Sequence, residues 1–137
     1  MDQYSRKIIS YEISNTMDER MCVSALERGI KGYGAPEIMH TDRGSQFMGR
    51  EFRWVLESAG IKASTGERGY KDNIYIERMF RTYKWECIYL MEKMELKELK
   101  EKTEEWVRYY NSERLHQALG YRTPDEVYYG GRMVRAS

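Results

Sequence analysis

Hydrophobic and polar residues follow two different periods along the first half of the chain, and these periods predict alternating strands and helices. Residues 7–14 (KIISYEIS) and 37–41 (EIMHT) are rich in β-forming residues and predict strands, and residues 61–64 predict a third. Apolar residues at helical spacing predict helices over 17–31 and 50–59, the second ending at Gly60 with its apolar residues facing inward: Phe52, Val55 and Leu56. Together these patterns predict an α/β fold, a sheet packed by helices.

The second half of the chain is predicted to be helical. A long helix is expected over residues 72–91, and its apolar members are Ile76, Met79, Phe80, Tyr83 and Ile88. A further helix is expected over 96–110, with charged residues of alternating sign on a solvated face. A last short helix is predicted to begin at Thr123-Pro124, because Thr favours the N-cap and Pro the first helical position.

Composition narrows the class of protein. The 137 residues are 41% hydrophobic and 33% charged, which is typical of an ordinary folded protein of one domain at most. No apolar run approaches the length of a membrane span, and the first residues do not resemble a signal peptide, so we expect a cytoplasmic protein. Two cysteines are too few for a disulfide framework. The net charge of +1 does not indicate nucleic-acid binding, so such binding would depend on a local cluster of basic residues.

Two acidic residues are the candidates for chemistry. Asp42 comes directly after the strand predicted at 37–41, and Glu77 lies near the start of the long predicted helix. A carboxylate at the carboxyl end of a strand points out of the sheet edge where sites usually form. Paired carboxylates suit Mg²⁺ or Mn²⁺, which prefer oxygen ligands. Spacing alone fits two solvated surface groups equally well, so both interpretations stay open at this point.

Three motifs taken together carry a family resemblance: HTDRGSQF, DNIYIER and YYNSERLHQALGYRTPDEV. They resemble the integrase catalytic core of bacterial insertion-sequence transposases, a DDE group with a ribonuclease-H-like fold that is related to retroviral integrases. The resemblance extends from Asp2 to about Tyr128. It implies that Asp42 and Glu77 are the second and third catalytic acids and ligands of Mg²⁺ or Mn²⁺. The activity it implies is metal-dependent DNA cleavage and strand transfer in transposition.

The same resemblance implies a set of DNA-binding residues. Arg81 and Lys84 lie four and seven residues after Glu77, on the same face of the predicted helix. Ser45 flanks the second acid in its motif and is a further candidate, and Lys71, in the loop before the helix, is a weaker one. For Arg81 and Lys84 the alternative is a solvated helix flank. For His40, which also flanks the second acid, the alternative to a DNA contact is burial in a strand. His116 is predicted to be a packing and capping residue rather than a ligand.

The chain departs from the family pattern at its start. The family's first catalytic Asp lies upstream of a D-x-x-S-R segment, in a W-x-x-D-x-T context. This chain begins inside D-x-x-S-R and contains no such context. We therefore expect a ribonuclease-H-like core without its first strand and most of its second, completed by self-association or by a partner chain. Activity of this chain as an enzyme stays open, because one catalytic Asp is absent from it.

These observations lead to an expected organisation and two candidate functions. Residues 1–129 are expected to form a partial integrase core, with both acids in 1–91 and a helical part in 92–129, followed by a tail at 130–137. The first function is that of a piece of a transposase catalytic domain that acts on transposon ends and target DNA in the bacterial nucleoid, with no membrane partner. The alternative is a catalytically inactive module or remnant that binds full-length transposase or DNA.

Overall fold

The computed structural model describes residues 1–13, 19–41, 49–65, 74–88 and 95–136. Its elements follow the chain in the order α1 (Glu19–Tyr33), β1 (Ile38–Thr41), α2 (Arg50–Ser58), β2 (Lys62–Thr65), α3 (Ile74–Tyr83), a π-helical turn (Lys84–Ile88), α4 (Leu96–Ser112), a 3₁₀ turn (Gln117–Leu119) and α5 (Pro124–Ala136). The backbone forms two compact units. One is the continuous segment Ile9–Ile74, and the other combines Met1–Ile8 with Tyr75–Ser137. We call them the strand unit and the helical unit.

The strand unit is built on a parallel pair of strands. β1 and β2 pair in a register that runs from Ile38 opposite Lys62 to Thr41 opposite Thr65. Helices α1 and α2 pack together beside them and share one buried apolar cluster, which consists of Cys22, Val23, Leu26, Phe52, Val55, Leu56 and Ile61. Burying a large apolar side chain contributes about 1.5–3 kcal/mol, so this cluster is the main source of stability in the unit. The predicted strands at 37–41 and 61–64 and the inward face of the helix at 50–59 are confirmed.

Helix α2 has a defined stop and an unusual start. At its end, Gly60 has a positive φ of 70°, and the backbone N–H groups of Gly60 and Ile61 donate to the carbonyls of Glu57 and Leu56 at 3.1 and 2.9 Å. This is the left-handed glycine cap that the sequence predicts at Gly60. At its start, Gly49 offers no side chain, and the carboxylate of Glu19 accepts a hydrogen bond from the Phe52 N–H at 3.0 Å. A residue of α1 therefore caps α2.

The strand predicted at 7–14 is wrong over residues 7–13, the part that the structure describes, because this segment joins no sheet there. Side chains satisfy part of its backbone and polar groups instead. The side-chain amide of Asn111 bonds the N–H and the carbonyl of Ile8, and the Ser10 hydroxyl donates to the Ala25 carbonyl at 2.6 Å. A β-rich segment becomes a strand only where another strand lies beside it, and that depends on tertiary structure rather than on local sequence.

The helical unit ties the first residues of the chain to its last helix. Lys7 is only 5% exposed, and its ammonium lies 2.7 Å from a carboxylate oxygen of Asp125 and 2.9 Å from the hydroxyl of Tyr129. The N–H of Glu126 donates to the Thr123 hydroxyl at 3.2 Å, which confirms Thr123 as the N-cap of α5. The predicted helix at 96–110 is confirmed as α4. Among the described residues, no helix is both long and apolar enough to cross a bilayer.

Candidate active site

The exposed face of α3 and of the π-helical turn that continues it brings together three of the predicted site residues. Glu77, Arg81 and Lys84 are all exposed, and they lie on the same side because their spacing of four and seven residues corresponds to one and two helical turns. All three line one open depression in the surface. The structure therefore groups one carboxylate with two cations, as the sequence predicts.

The opposite face of the same helical segment is buried and fixes its orientation within the helical unit. Met79 and Cys87 are buried, and the ring of Tyr83 packs against Trp106 with centroids 4.9 Å apart. The Tyr83 hydroxyl is hydrogen-bonded to the hydroxyl of Thr103 in α4. Because these contacts point one face inward, the face with Glu77 is turned outward.

Burial shifts the titration of the groups on this inner face. It raises the pKa of the Tyr83 hydroxyl and the pKa of the Cys87 thiol above their ordinary values, because the charged forms lose hydration. Both groups are therefore neutral at physiological pH. A buried neutral thiol is a poor nucleophile, so Cys87 supports the helix by packing rather than by chemistry.

Two further contacts hold the ends of the helical segment. The Arg6 guanidinium lies over the Tyr75 ring, 3.4 Å from its centroid, at the first turn of α3. In the π-helical turn, Glu86 accepts hydrogen bonds from the Arg114 Nε at 3.1 and 3.0 Å through its two carboxylate oxygens. These charged residues therefore serve to hold the helical segment in place. The charged side chains that line the depression are those of Glu77, Arg81 and Lys84.

Two aromatic residues complete the lining of the depression: Phe80 and Trp85. Sequence analysis predicts Phe80 as an apolar member of the helix and does not single out Trp85. The structure exposes Phe80 to 50% and Trp85 to 65%. For Phe80, the signal in the sequence is its spacing of three residues from Glu77, which places it on the same helix face. Trp85 lies in the π-helical turn and has no such signal.

The remaining predicted site residues lie outside the described part of the chain. These are Asp42, Ser45 and Lys71. Asp42 follows directly on Thr41, the last residue of β1. Within residues 1–13, 19–41, 49–65, 74–88 and 95–136, no three His, Cys, Asp or Glu side chains converge in a way that could hold a metal ion. The described residues thus contribute a single carboxylate, Glu77, to the predicted pair.

Both histidines contact other side chains of the protein. His40 Nδ1 lies 3.0 Å from the Ser64 hydroxyl, across the β1–β2 register. His116 packs edge-on against Tyr110, with ring centroids 4.7 Å apart. Burial, with a contribution from the Arg114 charge, lowers the pKa of His116 below its ordinary value. His116 is therefore a packing residue, as the sequence predicts.

Comparison with known proteins now shows the family. Two models described as "Integrase core domain" match the chain, one over residues 1–71 and the other over 59–124. Because the first of them spans more than half of the residues, the chain belongs to the integrase core domain family. The predicted resemblance to insertion-sequence transposases is confirmed by relatives that carry that name.

Three of these relatives come from different bacteria. The protein named as transposase InsK of insertion sequence element IS150 in Escherichia coli (strain K12) is 34% identical over 92% of this chain and 46% of its own length. The transposase of IS629 from Shigella sonnei is 30% identical over 93% of the chain and 44% of its own length. The one from IS904 of Lactococcus lactis is 29% identical over 92% and 51%. The chain thus spans about half the length of the curated relatives it matches.

Solved structures confirm the ribonuclease-H-like integrase fold. The catalytic core domain of HTLV-2 integrase, determined in complex with magnesium, superposes with a TM-score of 0.64 at 20% identity, covering 93% of this chain and 80% of that one. A chain of the simian T-cell lymphotropic virus intasome gives a TM-score of 0.66 at 16% identity, over 84% and 41%. At these identities the likeness is one of fold.

Proposed function

We propose that this chain forms part of the catalytic core of an insertion-sequence transposase of the DDE class, which cleaves DNA and transfers strands during transposition. The observation that carries the proposal is the shared exposed face of Glu77, Arg81 and Lys84 in a chain of the integrase core domain family. A carboxylate beside two cations on an exposed helix is an arrangement that suits a phosphodiester substrate, which needs both a metal ligand and partners for its phosphates.

In this proposal, Arg81 and Lys84 hold the DNA. Each cation neutralises a phosphate and releases the counterion bound there, which makes binding depend on salt. Their contacts orient the duplex relative to Glu77 without reading its sequence. Ser45 and Lys71 are proposed as additional DNA contacts on the strength of the motif and loop in which they stand.

Glu77 and Asp42 are proposed to hold Mg²⁺ or Mn²⁺. The donor chemistry fits, because carboxylate oxygens are the ligands these hard cations prefer and the Glu77 carboxylate is exposed. When bound, the metal would activate the attacking hydroxyl and stabilise the leaving oxygen of the phosphodiester. The magnesium complex of the similarly folded HTLV-2 integrase core supports this choice of ion.

The partners in this proposal are transposon-end DNA, target DNA and further copies of the chain or of full-length transposase, acting in the bacterial cytoplasm at the nucleoid. The assembly of similarly folded integrase chains, named as dimeric and trimeric forms and as an intasome, supports the oligomer.

DNA binding is tested by substituting the two cations. We expect Arg81→Ala and Lys84→Ala each to weaken binding of a short duplex and to lower the slope of log affinity against log salt by about one. The matched control is Lys100→Ala, which removes an exposed cation from α4. Equal binding by wild type, both variants and the control would contradict the assignment of this face to DNA.

Metal binding is tested by titrating Mn²⁺ and following the electron paramagnetic resonance signal of the free ion. We expect Asp42→Asn and Glu77→Gln each to weaken Mn²⁺ binding. Glu101→Gln, an exposed carboxylate on α4, serves as the control. If Mn²⁺ binds the wild type and both variants with the same affinity, the two carboxylates are not its ligands.

A further inference from the structure

We infer that Phe80 and Trp85 form a stacking surface for an unpaired base at the end of the DNA that Arg81 and Lys84 bind. The inference rests on the proposed function and adds a feature of the substrate: a DNA end whose terminal bases are not paired. It starts from the combination of two exposed aromatic rings and two cations in one depression.

The exposure of these rings is the first argument. Trp85 is 65% exposed and Phe80 50%, whereas Tyr83, on the inner face of the same helical segment, is half-buried and packs against Trp106. Large apolar side chains that share an exposed face commonly mark a binding surface. Together with the three charged side chains they line a depression of about 590 Å³, which lies within the range of about 300–1,000 Å³ typical of ligand sites.

Charge complementarity identifies the ligand. Arg81 follows Phe80 and Lys84 precedes Trp85 in the chain, and all four side chains line the same depression. Single-stranded nucleic acids are bound in this way, since cations follow the phosphates while aromatic rings stack on the bases. A paired base inside a duplex keeps its faces stacked on its neighbours and offers none to a protein ring. The base that fits is therefore an unpaired one.

The backbone at Trp85 gives a second reason to assign it a role. Trp85 is the second residue of the π-helical turn Lys84–Ile88, and such turns occur frequently at functional sites. A π-helical turn has more residues than an α-helical turn, so it changes the direction of the side chains that follow. Trp85 lines the same depression as Glu77, which lies eight residues before it in the chain.

The test compares three labelled DNAs by fluorescence anisotropy on the complete 137-residue chain. They are a blunt duplex, the same duplex with a short thymine overhang, and one whose overhang is abasic, with the phosphates but no bases. Stacking of a single base is expected to make the thymine overhang bind roughly 5- to 100-fold more tightly than the abasic one. We expect Trp85→Ala to remove this ratio and Trp85→Phe to retain much of it.

The matched control is Trp54, which is 66% exposed on α2 in the strand unit. Trp54→Ala is expected to leave the ratio between thymine and abasic overhangs unchanged. Circular dichroism verifies that each variant is folded. If Trp85→Ala is unfolded, the test uses Trp85→Phe together with the fluorescence of Trp85 measured in a Trp54→Phe variant. The thymine overhang is expected to quench that fluorescence. Absence of quenching would contradict the inference.

The outcomes separate this inference from the proposed function. If the wild type binds both overhangs equally while Arg81→Ala still weakens duplex binding, the stacking surface is disproved and the proposed DNA interface stands. If the wild type binds none of the three DNAs, the proposed function fails, and the inference fails with it. If Trp85→Ala changes the sedimentation of the protein and not the ratio, the rings belong to a contact between copies and the inference is overturned.

Discussion

The side-chain amide of Asn111, in α4, bonds both backbone polar groups of Ile8. Its Oδ1 accepts from the Ile8 N–H at 2.9 Å, and its Nδ2 donates to the Ile8 carbonyl at 3.0 Å. A neighbouring strand would offer an extended segment the same pair of bonds. Asn111 and Ile8 are both buried, so water cannot replace either bond. One side chain thus satisfies both backbone polar groups of Ile8.

Removing this amide is predicted to be costly. Asn111→Ala leaves two buried backbone groups without a partner, and we expect a loss of about 2–4 kcal/mol in the free energy of unfolding. Asn111→Leu preserves the volume and removes the same bonds, so its loss should be similar. Urea denaturation measures both, with the exposed Glu113→Ala as control. Wild-type stability in Asn111→Leu would show that the two bonds contribute nothing.

The cap that Glu19 provides for α2 leads to a second prediction. Glu19→Ala leaves the Phe52 N–H without its acceptor and should cost about 1 kcal/mol. Gly49→Ala should cost about as much, because its new Cβ would collide with the Glu19 carboxylate. Since both changes remove the same contact, the double variant should lose little more than either single one.

Thermal denaturation of these variants provides the measurement. The control is Gly32→Ala, inside α1, where an added Cβ meets no atom within 4 Å. It should stabilise the protein by about 0.5–1 kcal/mol, because alanine favours a helix interior over glycine. Additive losses in the Glu19–Gly49 double variant would refute the shared cap.

The contact between Lys7 and Asp125 is predicted to be asymmetric. Lys7 is nearly buried, whereas the Asp125 side chain is 30% exposed. Asp125→Ala removes the carboxylate from a nearly buried ammonium, which then retains only uncharged partners such as the Tyr129 hydroxyl, and should cost about 2 kcal/mol. Lys7→Met leaves a carboxylate that water still reaches, so it should cost less. Urea midpoints order the two variants. Arg108→Ala, which breaks an exposed ion pair with Glu104, should change stability by less than about 0.5 kcal/mol. A larger loss of stability in Lys7→Met than in Asp125→Ala would contradict the explanation by a buried charge.

His116 predicts a dependence of stability on pH. Its pKa in the folded chain is lowered from 6.5, so the unfolded chain binds the proton more readily. Between the lowered value and about 6.5, stability therefore rises with pH, and the contribution of His116 is complete above about pH 6.5. We expect the urea midpoint to decrease when the pH is lowered from about 7.5 to about 5.5. His116→Gln should make this decrease smaller. His40→Gln should retain it, and an equal effect of both variants would exclude His116 as the source.

Local signals account for the elements that the sequence predicts correctly. The stop of α2 follows from glycine at a position with positive φ, and the start of α5 from Thr123 and its hydrogen bond to the Glu126 N–H. The strand predicted at 7–14 is wrong over residues 7–13 because pairing is decided by distant parts of the chain. Periodicity also groups Phe80 with the apolar residues of its helix, yet only the packing of Tyr83 and Cys87 decides which side is buried.

Only part of the candidate site can be predicted from the sequence, because local spacing places some of its residues and the folded structure places the others. Helical spacing alone places Glu77, Arg81 and Lys84 on one face, and the structure agrees. The role of Trp85 depends on the π-helical turn, which no spacing rule for α-helices describes. The pairing of Asp42 with Glu77 stays a prediction, since Asp42 lies outside the described residues.

The discontinuity of the helical unit has a consequence for the order in which the protein matures on the ribosome. Synthesis completes Ile9–Ile74 before Tyr75–Ser137, and this segment carries a buried apolar cluster of its own, so it is free to fold early. Residues Met1–Ile8 are synthesised before this segment, yet Ile8 must wait for Asn111, 103 positions later. Joining segments so far apart in sequence is slow. Residues Met1–Ile8 are therefore synthesised before the strand unit but reach their final place after it.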